Sequence, residues 1–472
     1  MKISLCTIIL LFPLFLSGQK ITVSEDIPLR SEAAYELIGE LKGRTLLFRN
    51  RTTEFEVQAF DEQMHMSWSK ELKLDHRSAK ILGIIPSQED FTIFYYFRSK
   101  GNTILKADKF DPAANLKDSS TVHNFGFLFF TPDFEIVRSE DYSKALIYYI
   151  EKQSIIRAQV FDINRMKLLW DKSFSPEEFY YTEDFSQMAV DNAGNLYLML
   201  QKDNFRNRRK QHYHEIFEYR FASDEFRHFQ VPFQGRLTYD AHYTYDNMNK
   251  WLVATGFYGE KDQHRANGYF YLRIDPNDPE GGILHFIPFD EELINSLDTK
   301  KNDRRDWLNE ISVRETILRR DGGALLVAEK NHIFERRSGV NRTYFNGIPS
   351  NMVDYFFDEL LIFSIHPDGK SHWQNILHKK QYSQDDGGVY SSYFLFKTSH
   401  YLRFLFNDEI RFENTISEYV LNGYGEYDRN SILSTTNLDL RLRFRDAVQV
   451  AANTLIVPSE RRNRLKLVKM EF

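Results

Sequence analysis

"AQVFDINRMKLLWDKSF", residues 158–174, reads as a strand, a tight turn from Asp162 to Arg165, and a second strand carrying Trp170 and Phe174. The chain says nearly the same thing in "QAFDEQMHMSWSKEL" (58–72) and in "FSIHPDGKSHWQNIL" (363–377). With that turn as an anchor, equivalent turns fall at Asp61, Asp111, Asp162, Ser223, Asp275, Asp368 and near Tyr424, spaced by 50 to 61 residues except for one interval of 93. A regular period of this size marks a repeat architecture. The long interval holds two segments that read as insertions, a charged, helix-like one at 291–311 and a loop-like one at 336–357. Without them it shrinks to the common period.

Each unit also contains two strands ahead of the anchor. In the unit of the opening quotation, "FEIVRSED", "KALIYYIEKQ", "SIIRAQVFDI" and "KLLWDKSF" are four short runs rich in β-branched and aromatic residues, separated by turn residues. Four antiparallel strands per repeat of about 50 residues make the blade of a β-propeller. Several runs are continuously apolar, as expected where a blade is sandwiched between neighbours. The last unit, "LRFRDAVQVAAN", "TLIVPSERRN" and "RLKLVKMEF", supplies only three strands. "KITVSEDIPL", near the N-terminus, resembles an outer strand and has no blade of its own. Placing it as the fourth strand of the last blade closes the ring and removes both open sheet edges. The fold expected is all-β, a β-propeller of eight four-stranded blades closed by an N-terminal strand, with seven blades as the alternative count and two unrelated β-sandwiches as the rival architecture.

Composition agrees with one large folded unit. Hydrophobic residues make up 42% of the 472 and charged residues 27%, ordinary values for a globular protein. Forty Phe and 26 Tyr suit many short half-buried strands. A net charge of −6 with both signs interspersed gives no electrostatic footprint for nucleic acid or for an anionic membrane. "MKISLCTIILLFPLFLSGQK" has a basic Lys2, an apolar run from Ile3 to Leu16 and small residues at Ser17 and Gly18, the layout of a secretory signal peptide. The run is shorter than the roughly 20 residues of a spanning helix. Residues 1–18 are therefore expected to be removed near Gly18, leaving 19–472 as one propeller domain, exported to the periplasm or the outer membrane and at most peripheral to a bilayer. The only cysteine, Cys6, lies within the signal segment, so no disulfide, thiolate or cysteine-ligated metal is expected in the mature chain.

The repeat resembles those of eight-bladed quinoprotein-type propellers and of the propeller scaffold lipoprotein of the outer-membrane barrel-assembly machinery. The residues that carry the resemblance are Asp61 with Trp68, Asp162 with Trp170, and Asp368 with Gly369 and Trp373, in three of the eight blades. It implies the eight-bladed fold, with each Trp packed between adjacent blades. The regular turn glycine is missing except at Gly369, no quinone- or metal-binding set accompanies the repeat, and the lipid-bearing cysteine of the scaffold lipoprotein is absent.

Local chemistry is sparse. His212 and His214 in "QHYHE" fall on one side of a strand, but a metal needs further ligands, and the basic "RNRRK" before them favours an exposed loop entering a strand. Asp275 and Asp278 in "DPNDPEGG" gather oxygens as a hard cation requires, yet Pro279 breaks the spacing of a calcium loop and favours a stiff turn. "QDDGGVYSS" and "RRDGGAL" precede no helix, so they read as flexible turns rather than phosphate cradles. No cofactor pattern and no catalytic motif is found. Carboxylate pairs contributed by different blades cannot be found by spacing. The insertions carry what function is legible, since loops longer than a fold requires are often functional. They place Trp307, Tyr344, Phe345, Met352, Tyr355, Phe356 and Phe357 beyond the ring, where aromatic and Met side chains are typical of interface cores. The expectation is a non-enzymatic protein-binding or scaffold module of the bacterial cell envelope, in an outer-membrane assembly or secretion complex. The alternatives are a propeller enzyme of glycosidase or lyase type with its site in the central channel, and a carbohydrate-binding propeller.

Overall fold

The computed structural model describes residues 19–29, 34–51, 54–297, 306–336, 352–408, 415–435 and 438–472. The proposed signal segment, Tyr344 and Phe345 lie outside the described residues. Each blade is an antiparallel sheet in which sequence neighbours pair. Blade 1 is Ala34–Leu41, Arg44–Asn50, Phe55–Phe60 and Met66–Leu72; blade 2 is Lys80–Pro86, Phe91–Ser99, Asn102–Phe110 and Leu116–Asn124. Blade 3 is Glu135–Arg138, Lys144–Glu151, Ile155–Asp162 and Lys167–Phe174; blade 4 is Phe185–Val190, Leu196–Lys202, Tyr213–Arg220 and Glu225–Pro232. Blade 5 is Leu237–Asp246, Trp251–Gly259, Gly268–Asp275 and Asp278–Pro288. Blade 6 is Ile311–Leu318, Ala324–Arg336, Met352–Ile365 and Ser371–Leu377, with Gln381–Gln384 as an additional strand. Blade 7 is Phe394–Lys397, Tyr401–Asn407, Thr415–Asn422 and Tyr427–Ser434. Blade 8 is Val448–Ala451, Thr454–Arg461 and Arg464–Glu471, and Lys20–Val23 is its fourth strand, paired from Lys20↔Glu471 to Val23↔Val468.

The count is eight, and every anchor turn named from the sequence joins the third and fourth strands of a blade. Those turns and the first-to-second turns lie on one face of the ring. The second-to-third turns and the connectors between blades lie on the other, here termed the connector face. First strands line the axis, touching one another from blade 8 through blades 1 to 6. Middle strands are apolar because both of their faces are covered; Leu46, Leu47, Val57 and Ala59 in blade 1 are fully buried.

Adjacent blades share their cores. One cluster joins Leu146, Val160 and Trp170 of blade 3 to Leu196, Leu198 and Tyr219 of blade 4. Trp170 also donates from its indole nitrogen to the Gly194 carbonyl of blade 4 at 2.8 Å, and Trp373 donates to the Gly423 carbonyl of blade 7 at 3.2 Å. Trp68 lies half-buried against a cluster shared by blades 1 and 2. Each of the three Trp residues that follow an anchor turn is thus an inter-blade residue.

Two glutamines repeat a second device. The Gln187 side-chain amide takes the Tyr243 N–H at 2.9 Å and gives to the Tyr243 carbonyl at 2.8 Å, joining the first strands of blades 4 and 5. Gln449 does the same to Lys397, at 3.0 and 2.7 Å, joining blades 8 and 7. Each amide imitates the missing backbone of a strand that would otherwise pair there.

Replacing Trp170 by Phe removes the hydrogen bond while keeping most of the packing, and Ala removes both. Urea unfolding followed by tryptophan-independent circular dichroism is expected to show a loss of about 1 kcal/mol for Trp170→Phe and about 3–5 kcal/mol for Trp170→Ala.

Candidate functional site

Two places can meet a ligand, the central channel and the decorated connector face. The channel is a cavity of about 1570 Å³ lined chiefly by the first strands of blades 1, 2, 7 and 8 and by turns of blades 2 and 3. It is rich in charge, and four of its eight lining carboxylates are paired with cations. Asp90 pairs with Lys117 at 2.7 Å, Asp446 with Arg443 at 2.5 Å, Glu40 with Lys469 at 3.8 Å, and Glu315 with Lys397. Asp141 is held by the hydroxyls of Ser139 and Ser143 at 2.7 and 2.9 Å. Glu36 differs. Burial by the channel walls raises its carboxyl to about 7, against the lowering pull of Arg138, while part of its surface remains exposed to the channel. Arg138 itself lies 4.3 Å over the Tyr142 ring.

On the connector face the largest elaboration belongs to blade 6. Its second and third strands run past the blade as a hairpin, registered from Asn331↔Phe357 to Arg336↔Met352, and Gln381–Gln384 adds a third strand through Asp354↔Gln384 to Phe357↔Gln381. This corrects the reading of 336–357 as a loop: Met352–Phe357 are strand, because alternating apolar residues here find pairing partners on both sides. One side of the extension carries an aromatic row. His332, Phe356 and Tyr382 stand opposite one another on three strands, with ring centroids 6.1 and 5.0 Å apart, and Phe334 lies 6.0 Å from His332. Tyr382 donates to Asp354 at 2.7 Å.

The other side, with Tyr355 and Phe357, packs inward. A Cβ at Gly388 would lie 3.2 Å from both rings, and Gly388 has a φ of +66°, so the Gly-Gly turn read as flexible is the close-fitting backing of the extension. Phe357 is buried, contrary to its expected exposure, with the Arg445 and Arg314 guanidinium groups 4.6 and 5.7 Å from its ring centre.

Behind Phe357 lies a largely buried polar network. The Lys379 ammonium meets Glu329 at 2.7 Å, with both side chains wholly buried, and donates to the Phe357 carbonyl at 3.0 Å and to Gln381 at 2.9 Å. Burial pulls the Lys379 ammonium below its usual range, with Glu329 opposing. Glu329 also receives Arg314 at 2.9 Å and the Ser392 hydroxyl at 2.7 Å, and Gln381 reaches the Asn407 carbonyl of blade 7 at 2.7 Å. Removing either member of such a pair strands the other charge, so the network holds the root of the extension in one geometry.

The structure brings Met352, Tyr355 and Phe356 together on this extension, all half-buried rather than fully exposed. Trp307 sits apart, in the connector between blades 5 and 6, half-buried with the Arg265 guanidinium 4.6 Å over its ring. Of the helix expected across 291–311, Glu291–Leu297 is helical and buries Leu293, Ile294 and Leu297 in the core shared by blades 5 and 6; residues 306–311 are not helical, and 298–305 lie outside the described residues.

His212 and His214 are not on an exposed loop. They are 2% and 0% exposed, and both reach the Thr238 hydroxyl, at 2.8 and 2.7 Å. His212 also bonds the Lys202 carbonyl at 2.6 Å, and His214 bonds the Tyr243 hydroxyl. The ring nitrogens are therefore spent within the protein. Asp275 accepts from the backbone and side chain of Asn277 at 2.8 and 3.0 Å, an ordinary turn, and Asp278 is exposed across it. Among the described residues no three His, Cys, Asp or Glu side chains converge.

Sequence reading passed over one surface. In the connector between blades 2 and 3, "FGFLFFTPDF" (125–134), Phe127, Phe129 and Phe130 are 73%, 75% and 80% exposed. Arg98 holds this loop by donating to the Leu128 carbonyl at 2.9 Å. The signal was present as an aromatic run between two strands whose turn residues, Gly126 and Thr131–Pro132, place it outside the sheet. Tyr180 and Phe205, 61% and 39% exposed, extend the aromatic character of this face over blades 3 and 4. Among the described residues no helix is long and apolar enough to cross a membrane.

No protein-family model matches the chain, and no curated protein matches it. Among solved structures it is similar to Sqt1 of Saccharomyces cerevisiae, at 9% identity over 94% of this chain and 97% of that one, with a TM-score of 0.45. It is also similar to the β-propeller domain of the Trilobed protease from Pyrococcus furiosus (9% identity, 84% and 98% covered, TM-score 0.39). TolB from Acinetobacter baumannii shows 12% identity, 81% and 78% coverage and a TM-score of 0.30. At these identities and scores no ligand or partner transfers to this chain.

The buried imidazoles set a pH dependence. Desolvation depresses His212 to about 4, with the Lys202 carbonyl and Asp203 opposing, and holds His214 well below the usual imidazole range, helped by His212. Below about pH 6.5 the unfolded chain takes up protons on both while the folded one does not. The stability they contribute is thus complete above about pH 6.5 and is lost progressively as pH falls toward 4. Thermal unfolding between pH 7 and pH 5 is expected to show this decline, and His214→Gln to flatten it.

Proposed function

We propose that this chain is an exported, non-enzymatic propeller of the bacterial cell envelope that binds another protein, as a scaffold, through its connector face. The observation that carries this reading is the three-stranded extension of blade 6, whose aromatic row is raised above the ring and fixed by a buried ion pair. Aromatic side chains on a rigid support lose little entropy when covered, which makes them efficient interface anchors. Export rests on the N-terminal signal-like segment, and a place in an outer-membrane assembly or secretion complex on the resemblance of the repeat.

A second reading is favoured by one observation in the channel, Glu36 beside Arg138 in a cavity large enough for a sugar or a peptide. It is ranked lower because the other channel carboxylates named above are bound to cations or hydroxyls. Carbohydrate binding has no comparable support, since Trp307 is stacked on Arg265 instead of presenting a free face.

Capture of envelope proteins on immobilised full-length chain, followed by titration of the purified partner, tests the reading. Phe334→Ser with Phe356→Ser is expected to weaken the partner's Kd at least 10-fold, about 1.4 kcal/mol, while Glu36→Gln leaves it unchanged. Equal affinity for the aromatic variant, or no specific partner, overturns the proposal. Loss with Glu36→Gln alone moves the site to the channel.

A further inference from the structure

The first strand of blade 6 pairs with the second only as far as Ile311↔Lys330, while the second continues to Arg336. Beyond Lys330 the outer side of that strand has no sheet neighbour among the described residues. The direction of its backbone groups is fixed by two observations. The Asn331 N–H points outward, to the Glu310 carbonyl at 2.8 Å. On the far side of the hairpin the Val353 carbonyl points away from it, accepting from the Asp385 N–H at 2.9 Å. Strand backbones alternate, so His332, Phe334 and Arg336 direct their N–H and C=O groups into the hairpin, and Ile333 and Glu335 direct theirs outward. Ile333 and Phe334 are 54% and 49% exposed, and Glu335 is exposed. Natural proteins blunt such edges with proline, bulges or cover. Between Ile333 and Glu335 there is neither a proline nor a register shift.

We propose that this edge, at Ile333 and Glu335, takes an extended segment of the protein partner as an added β-strand. The inference rests on the protein-binding reading above and specifies its mode. Two N–H and two C=O groups set two residues apart match only another extended backbone, which is how strand addition obtains affinity, while alternate side chains supply selectivity. The added strand places apolar or aromatic side chains beside Phe334, continuing the row of Phe356 and Tyr382. On its opposite side it places a basic residue beside Glu335. The buried Lys379–Glu329 pair keeps the template in place before the partner arrives, so little ordering is required of this chain.

The test uses full-length protein and the partner captured by it. Glu335→Pro removes one outward N–H and puts a ring where the added strand would lie, without touching the hydrogen bonds of the hairpin. Glu335→Thr keeps the N–H and serves as control. Circular dichroism and thermal unfolding report the folding of both. The expected result is that Glu335→Pro weakens partner binding at least 30-fold and Glu335→Thr less than 3-fold, with hydrogen exchange at the Ile333 and Glu335 amides slowed at least 10-fold in the wild-type complex. If Glu335→Pro fails to fold, the exchange measurement on wild type decides alone. Unchanged exchange at both amides overturns strand addition. If the Phe334→Ser, Phe356→Ser variant still loses the partner in that case, the protein-binding reading survives without it. If no partner is captured, both fall.

Discussion

The structure depends on the meeting of its two chain ends. A four-stranded blade cannot bury both of its faces alone, and a row of blades leaves two faces and two sheet edges open. The pairing of Lys20–Val23 with Val468–Glu471 removes both defects at once. It places Ile21 and Val23 against the same core as Phe396, Leu455 and Val468, so blade 8 is built from both termini and packs on blade 7. A second contact, Ile27↔Leu465, extends the seam and puts Ile27 into the core shared with Leu37 and Leu47 of blade 1. Every other junction is made from segments close in sequence. This one joins segments more than 400 residues apart, which makes it the entropically most demanding step of folding.

With the ring closed, the junctions need not be alike. Blades 3 and 4 are joined by apolar packing and the Trp170 hydrogen bond, whereas blades 4 and 5, and 7 and 8, add the glutamine clamps at Gln187 and Gln449. Blades 6 and 7 share an apolar core and the Trp373 hydrogen bond, and add a polar connector lying between them. Ser391, Ser392, Gln381 and Lys379 there are all buried, and each of the last three spends its polar atoms on a neighbour. Apolar side chains of similar volume would pack at least as favourably as a buried Lys–Glu pair. What the polar version supplies is direction. It fixes the Phe357 carbonyl and ring, and through them the angle at which the extension leaves the ring.

The repeat was legible because it is local. An Asp at the third turn accepts backbone N–H groups two and four residues on, as Asp61 does from Gln63 and His65, and this chemistry recurs at Asp111. The chain therefore prints its period in the sequence. Site geometry is not local, and the misreadings follow from that. His212 and His214 looked exposed because basic residues precede them, but the residue that satisfies them, Thr238, lies in the next blade. Met352–Phe357 looked like loop because its partners, Asn331–Arg336 and Gln381–Gln384, flank it at a distance that the masking effect of an insertion hides. The charges of the channel come from blades 1, 2, 3, 6 and 7 and from the connector into blade 8, and have no spacing at all. The Phe127–Phe130 run was legible and was passed over only because no repeat position calls attention to a connector.

The two faces of the ring carry different amounts of sequence, and this asymmetry bears on function. Turns on the face opposite the connectors are short and built from their own hydrogen bonds, as at Asp61, Asp111 and Asp246. The connector face holds the Phe127–Phe130 loop, the Glu291–Leu297 helix and the extension of blade 6. The loop, between blades 2 and 3, lies in a different sector from the helix and the extension, which adjoin at Leu297 and Lys330, so no small ligand can touch them all. An exposed Phe gains about 2 kcal/mol when fully covered, and the three of the loop with Phe334 could contribute several kcal/mol to one broad contact. A macromolecule lying across the face can collect that sum, whereas a substrate held in the channel cannot. The exposed rings of Phe127, Phe129, Phe130 and Phe334, which add nothing to the core of the ring beneath them, are the physical support for the proposed binding partner over a reaction.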